Sequence, residues 1–335
     1  MHALMLAAAL MAQQYEETIT VSRVLVDVRV TDHQGNAITG LTPADFHVRI
    51  GGKPATIESL EWLDDTGGAA AAPAAEESRA EARPASRPRG RLFVVFVQTD
   101  FARNNFRLVG QMHFNRYADE FIASLAPEDR VAVFSFDSHL KFRRDFTSDK
   151  EDLGKALREA LLIDRPPPPP AVPSPSLAPR LDREAMRRVT TSEDALLLVA
   201  NALSPIDGPK QLLLIGWGLG RYSRGTVWML PEWKATRAAL DAARVTIFSL
   251  DTAWADYHDL ELGLQSAARE TGGFYAKTYK FAGAAVERLQ RTLAGHYELE
   301  LRVPQELKPG THRLDVRVKR RGITVLAPST VIARP

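Results

Sequence analysis

The stretch Arg91 to Asn105, RLFVVFVQTDFARNN, constrains the fold of this chain more than any other. A Pro/Ala/Arg-rich segment precedes it, an unbroken apolar run follows, and the run ends in an abrupt polar turn that leads into a helical pattern. A strand that is apolar at every residue, rather than at every second one, must be covered on both faces. That is the situation in a parallel sheet sandwiched by helices. VAVFSFD (131–137), QLLLIGW (211–217) and VTIFSLD (245–251) have the same character, and GFYAKT (273–278) reads as a last strand. Helical patterns separate them, and LKFRRDF (140–146) reads as an antiparallel edge strand. Strands alternating with helices predict an α/β body with a mostly parallel sheet and helices on both faces. Ligands collect at the carboxyl ends of such strands, so Gln98 to Asn105 is the first place to look for function.

The helices carry their own signals. The one near 105–125 is expected to bury Val109, Met112, Tyr117, Phe121 and Leu125. Thr147-Ser148-Asp149 supplies a hydroxyl and a carboxylate for the free amides of DKEDLGKALREALL. Leu181 to Leu203 is helical with a break near Thr190-Thr191-Ser192, PEWKATRAALDAAR carries Pro in its first turn, and a helix near 258–271 stops at Gly272-Gly273. FAGAAVERLQRTLAGH is the last. Residues 165–180, PPPPPAVPSPSLAP at their centre, read as a stiff, solvated loop, and GLGRYSRGTVWML reads as an irregular one.

Both ends of the chain switch to a period of two. In residues 15–63, ITVSRVLVDVRVTD places Val24, Val26, Val28 and Val30 on one face, and turn residues follow at Asp32, Gly35 and Asn36. Residues 296–335 hold YELELRV, HRLDVRVKR and GITVLAP, separated by turn signals. Each end is too short to bury a core unaided. The expectation is therefore that 15–63 pairs with 296–333 in a small all-β, Ig-like sandwich, with the body, 91–295, inserted between them. Residues 64–90 are low-complexity and read as a disordered linker. Residues 1–14, MHALMLAAALMAQQ, have the apolar core and small-residue end of a signal peptide, which implies a secreted, periplasmic or cell-envelope protein.

Composition narrows the function. Lys plus Arg (43) nearly balances Asp plus Glu (41), a net charge of +2 that gives no reason to expect nucleic acid. With no cysteine, thiolate nucleophiles and cysteine-ligated zinc are excluded. The 8 histidines show no HExxH spacing, there is no GxSxG elbow, and no stretch is long and apolar enough to span a membrane. Gly216, Gly218 and Gly220 after a strand hint at a nucleotide-binding enzyme, but RYSRG follows where a helix is needed.

VVFVQTD at the first body strand and PKQLLLIGWG at the central one resemble a von Willebrand factor A (vWA) domain. VLVDVRVTDHQGNAITGLTPADFHVRIGGKPATI at the head is similar to the secreted "VWFA-related" family of Acidobacteria, as are ARETGGFYAKT, LAGHYELELRVP and HRLDVRVKRRGITVLAP toward the tail. The resemblance implies a metal-ion-dependent adhesion site, in which an Asp-x-Ser-x-Ser turn, a Thr and a second Asp hold Mg²⁺ through oxygen ligands. Here the turn reads Gln98-Thr99-Asp100-Phe101-Ala102. Gln98 stands for the first Asp, Asp100 for the first Ser and Ala102 for the second. Gly216-Trp217-Gly218 replaces the second acidic position, and Thr190 or Thr191 is nearest to the missing Thr. The expectation is a degenerate site with no cofactor. The protein is then a non-enzymatic interaction or adhesion module that binds a protein partner through Gln98, Thr99, Asp100, Asn104, Trp217 and Asp251. The alternative is a displaced Mg²⁺ site built on Asp100 and Asp251. Asp251 otherwise bonds loop amides, and Trp217 is either an exposed anchor or packed under its loop.

Overall fold

The computed structural model describes residues 22–65, 90–99, 105–162, 164–279 and 282–334. The segment 1–14 expected to be a signal peptide, most of the expected linker 64–90, Asp100 and Asn104 lie outside the described residues. The head forms β1 (Arg23–Asp32), β2 (Phe46–Ile50), β3 (Lys53–Pro54) and β4 (Thr56–Asp64). Val26, Val28 and Val30 of β1 are buried, as their spacing predicts. The strand is turned by Asp32, whose carboxylate accepts the Gln34 and Asn36 amides at 2.8 and 2.9 Å, while Gly35 takes φ +87°.

The body then runs β5 (Leu92–Gln98), α1 (Asn105–Ala123), β6 (Arg130–Phe136), β7 (Leu140–Thr147) and α2 (Lys150–Glu159). It continues through α3 (Arg183–Arg188), α4 (Ser192–Leu203), β8 (Lys210–Gly216), β9 (Arg221–Ser223), β10 (Thr226–Trp228) and α5 (Trp233–Ala242). It ends with β11 (Val245–Asp251), α6 (Glu261–Glu270), β12 (Tyr275–Lys277) and α7 (Ala282–Thr292). Its six-stranded sheet has the order β12-β11-β8-β5-β6-β7, parallel except for the antiparallel edge β7. This is the mostly parallel α/β sheet the sequence predicts.

Every residue of β5 is buried, and alternate ones serve opposite cores. Leu92, Val94 and Phe96 join Leu212, Leu214 and Ile247 beneath Leu196 and Val199 of α4 and Leu264 of α6. Phe93, Val95 and Val97 join Leu213, Ile215 and Phe248 beneath Phe121 of α1 and Val286 and Leu289 of α7. At about 1.5–3 kcal/mol per large apolar side chain, β5 alone removes on the order of 10 kcal/mol of apolar exposure.

The tail adds β13 (Gly295–Arg302), β14 (Gly310–Val318), β15 (Ile323–Leu326) and β16 (Thr330–Ala333), the last not foreseen. Two four-stranded sheets result, β15-β1-β13-β4 and β16-β14-β2-β3. They share one core, with Val26 opposite Leu299 in the register and Val48, Ile50 and Leu314 facing from the second sheet. Head and tail therefore complete each other's sheets. Body and sandwich are joined by Arg244, which bonds Asp27 at 3.0 Å and Glu298 at 2.6 Å.

Several expectations need correction. In α1 the buried stripe is Phe114, Ala118, Phe121, Ile122 and Leu125, whereas Val109 and Met112 are exposed; the side chain of Tyr117 lies outside the described residues. The irregular loop after β8 contains a hairpin, β9–β10. The head's last strand runs one residue past 63, to Asp64, and the Asp65 amide still bonds Ala294 O at 3.0 Å. The Pro-rich segment is exposed along much of its length, as expected, but it is not a free spacer. Pro169, Pro175, Ser176 and Leu177 are buried, and Leu177 enters the core beside β7. Asp145 of β7, itself buried, accepts Ser176 Oγ at 2.6 Å and the Leu177 and Ala178 amides at 2.9 and 3.2 Å. A buried carboxylate needs such donors, and these tie the segment down as a strap.

Candidate functional site

The carboxyl ends of β5, β8 and β11 lie side by side, and the groups there are bound mostly to one another. Gln98 closes β5 and is buried. Its Nε2 donates to Ser192 Oγ at 2.9 Å and to Gly218 O at 2.7 Å. Its Oε1 accepts the Trp217 and Gly218 amides at 2.9 and 3.2 Å. One carboxamide thus ties together the ends of β5 and β8 and the first turn of α4. The approach is tight: a Cβ on Gly216 would lie 2.1 Å from Gln98 Oε1. Thr99 is buried as well, its amide donating to Phe136 O at 2.6 Å and its hydroxyl to the same oxygen at 3.2 Å.

Beside this clamp opens a cleft of about 260 Å³, lined by Asp137, Thr190, Glu193, Trp217, Arg221 and Leu260 among others. Trp217 is half-buried and lines this cleft, between the two arrangements its sequence context allowed. Glu193 is buried and accepts the Gly220 amide at 2.7 Å. Burial pushes its carboxyl above the usual range, against the pull of that amide. Burial also acts to raise Asp137, but the Lys141 ammonium bonded to it and the Ser138 amide outweigh this and hold it low. Thr191 is the N-cap of α4, accepting the Asp194 amide at 3.1 Å.

Asp251, at the end of β11, is fully buried. Its Oδ1 accepts the Ala253 amide at 2.9 Å, the loop-amide role open to it from sequence. Its Oδ2 meets Tyr275 Oη at 2.6 Å and His258 Nε2 at 2.8 Å. Glu261 stands next to them, 2.6 Å from Lys277 Nζ. Burial and the neighbouring Asp251 charge push the Tyr275 phenol up, so it stays a donor. The loop after β11 folds back onto β8 through Thr252, whose amide bonds Gly216 O at 2.7 Å. Gly110 lets α1 press against it, since a Cβ there would fall 1.6 Å from Thr252 O.

The sequence paired Asp251 with Asp100; the structure gathers His258, Glu261, Tyr275 and Lys277 around it. The only advance signal was the three-residue spacing of His258 and Glu261 at a helix entry, and Glu193 carried none. The vWA fold implies Mg²⁺ at the Gln98 position, and the side chains described there do not fit it. Gln98 offers one neutral oxygen, already engaged by two amides, and directs Nε2–H toward its neighbours. Gly216 supplies no side-chain ligand, and the Thr191 hydroxyl caps α4. Hard cations need several free oxygens, preferably charged.

Sequence comparison finds no matching family model and no matching curated protein. Solved structures are similar at low identity. The vWF domain of the type V pili tip protein Mfa5 from Porphyromonas gingivalis is 11% identical, with 61% of this chain and 95% of that one covered and a TM-score of 0.41. The conserved hypothetical protein BatB from Bacteroides thetaiotaomicron is 13% identical, over 61% and 98%, at 0.39. Human COPII-coat protein Sec24c is 10% identical at 0.40; the match takes in 73% of this chain but spans only 43% of Sec24c. Among the described residues no helix is long and apolar enough to cross a membrane. At these identities and TM-scores the likeness carries no argument of its own, and the narrower bacterial family stays an expectation from sequence resemblance. By its own strand order and antiparallel edge the body is a vWA-like α/β domain.

Proposed function

We propose that this protein is a non-enzymatic protein–protein interaction or adhesion module of an exported bacterial protein. Its partner docks on the carboxyl-end face of the sheet without a standard metal site. The observation that carries this reading is the Gln98 clamp: the position where a vWA-like domain would hold its cation is taken up by a carboxamide bonded on both sides. Recognition then falls to shape and to the surrounding side chains. The loops at that end supply them, because Tyr222 and Trp228 on the β9–β10 hairpin and Trp254 and Tyr257 after β11 are all exposed. Exposed aromatics gathered at one end of a domain are the residue type that dominates binding energy when a partner covers them.

The test has two arms. Melting of the purified protein with millimolar Mg²⁺ is expected to match melting in chelator. A rise of several degrees that disappears in Gln98→Ala refutes the metal-free clamp, since a ligand of the native state must stabilise it. Immobilised protein is then used to capture envelope proteins in chelator. Trp228→Ala and Tyr257→Ala, checked for unchanged melting, are expected to abolish capture, and undiminished capture refutes the proposed face.

A further inference from the structure

We propose that Asp251, His258 and Glu261 form a binding site for one divalent first-row metal ion of the zinc class, in the loop between β11 and α6 and separate from the Gln98 position. Asp251 is fixed by the end of a buried strand. His258 and Glu261 are three residues apart at the entry to α6, where the Glu261 amide bonds His258 O at 3.2 Å, so both project from one side of that turn. One ligand atom from each of the three side chains lies within 4.8 Å of the others. Bonds of about 2.0–2.2 Å from zinc to imidazole nitrogen and carboxylate oxygen require those atoms to close to about 3.4 Å of one another.

The donor set selects the metal. Two carboxylates alone would suit Mg²⁺ or Ca²⁺, but an imidazole nitrogen shifts preference to first-row transition ions and zinc. Asp251 and Glu261 are buried, whereas the His258 side chain is 20% exposed and leaves one open side. A water molecule completes four-coordination, while the Tyr275 phenol remains a donor to Asp251. The ligands are also held from behind: Asp251 by the Ala253 amide, Glu261 Oε1 by Gln265 Nε2 at 3.3 Å. Such outer bonds fix ligand orientation.

Lys277 supplies an independent pointer. Its ammonium sits 2.6 Å from Glu261, so one cation already stands against a pair of buried acids. A divalent ion compensates both. The Lys277 side chain is 26% exposed and has a path to solvent when the ion takes its place. Metal and lysine therefore compete. Binding would pin the loop that presents Trp254 and Tyr257, a consequence that rests on the interaction reading above; the site itself does not.

The experiment titrates tag-free protein with Co²⁺ by visible absorption and then displaces it with Zn²⁺. One equivalent is expected, with the ligand-field intensity of four- or five-coordination. His258→Ala and His258→Gln, verified as folded by circular dichroism, are expected to weaken binding at least about tenfold. Lys277→Met is expected to strengthen it about tenfold by removing the competing charge. His312→Ala, on the sandwich, is expected to change nothing. Absence of binding at equimolar Co²⁺, binding untouched by both His258 variants, or weaker binding in Lys277→Met overturns the proposal. Protein that binds no metal yet still captures its partner through Trp228 and Tyr257 refutes this site and leaves the interaction reading standing.

Discussion

Replacing Gln98 tests the clamp directly. Gln98→Ala removes four hydrogen bonds, to Ser192 Oγ, Gly218 O and the Trp217 and Gly218 amides. An orphaned buried polar group is destabilising by about 1–3 kcal/mol. Gly218 is buried and loses partners at both its amide and its carbonyl, whereas the half-buried Trp217 amide lies beside a cleft that admits water. The expected loss is about 2–4 kcal/mol. Gln98→Glu separates charge from shape, because it keeps the acceptor for the two amides but turns the donor toward Gly218 O, 2.7 Å away, into a second acceptor. Burial and that carbonyl raise the introduced carboxyl above its unfolded value of about 4. The native state then holds a proton the unfolded state has released, so stability is full below about pH 4 and falls as pH rises through the folded value. Urea unfolding followed by circular dichroism at pH 4.5 and pH 8, each referred to wild type, checks both. An alanine penalty below about 0.5 kcal/mol, or a glutamate variant no weaker at pH 8 than at pH 4.5, refutes the account of the clamp.

Other outcomes follow from the same structure. Asp145→Ala deprives Ser176 Oγ and the Leu177 and Ala178 amides of their acceptor; about 2–4 kcal/mol should be lost, with proteolytic cleavage appearing within 165–180, and an uncleaved strap would contradict its anchoring. Arg244→Ala leaves Asp27 and Glu298 without their shared cation and should be destabilising by about 3–5 kcal/mol in urea. Burial pushes the Asp241 carboxyl up to about 7, against its bond from Thr330. The native state therefore holds an extra proton between about pH 4 and 7, and stability should decline across that window by on the order of 2 kcal/mol for a half-buried group. Asp241→Asn should flatten the decline, and an unchanged pH profile in that variant would assign it to other groups.

The body's class was legible in the residues alone, because an uninterrupted apolar run leaves no polar face and a sheet covered on both sides accommodates it. It also located the helix caps: Asp149 accepts the Glu151 and Asp152 amides as its position foretold. Local pattern was weaker where two answers satisfy it. In α1 apolar residues occur on more than one side, and only the sheet beneath selected Phe114, Ala118 and Ile122 over Val109 and Met112. Proline content described the strap's stiffness but not its anchor, Asp145, which lies 31 residues from Ser176. The candidate site shows the same division. That Gln98 is no carboxylate is plain in the sequence. Its engagement by Ser192 and Gly218, 94 and 120 residues away, was decided by the tertiary structure, as was the meeting of Asp251 with His258, Tyr275 and Lys277. Periodicity reports which face of an element is buried; which polar groups meet across a sheet depends on strand order and register, and those are set by the packing of the whole chain.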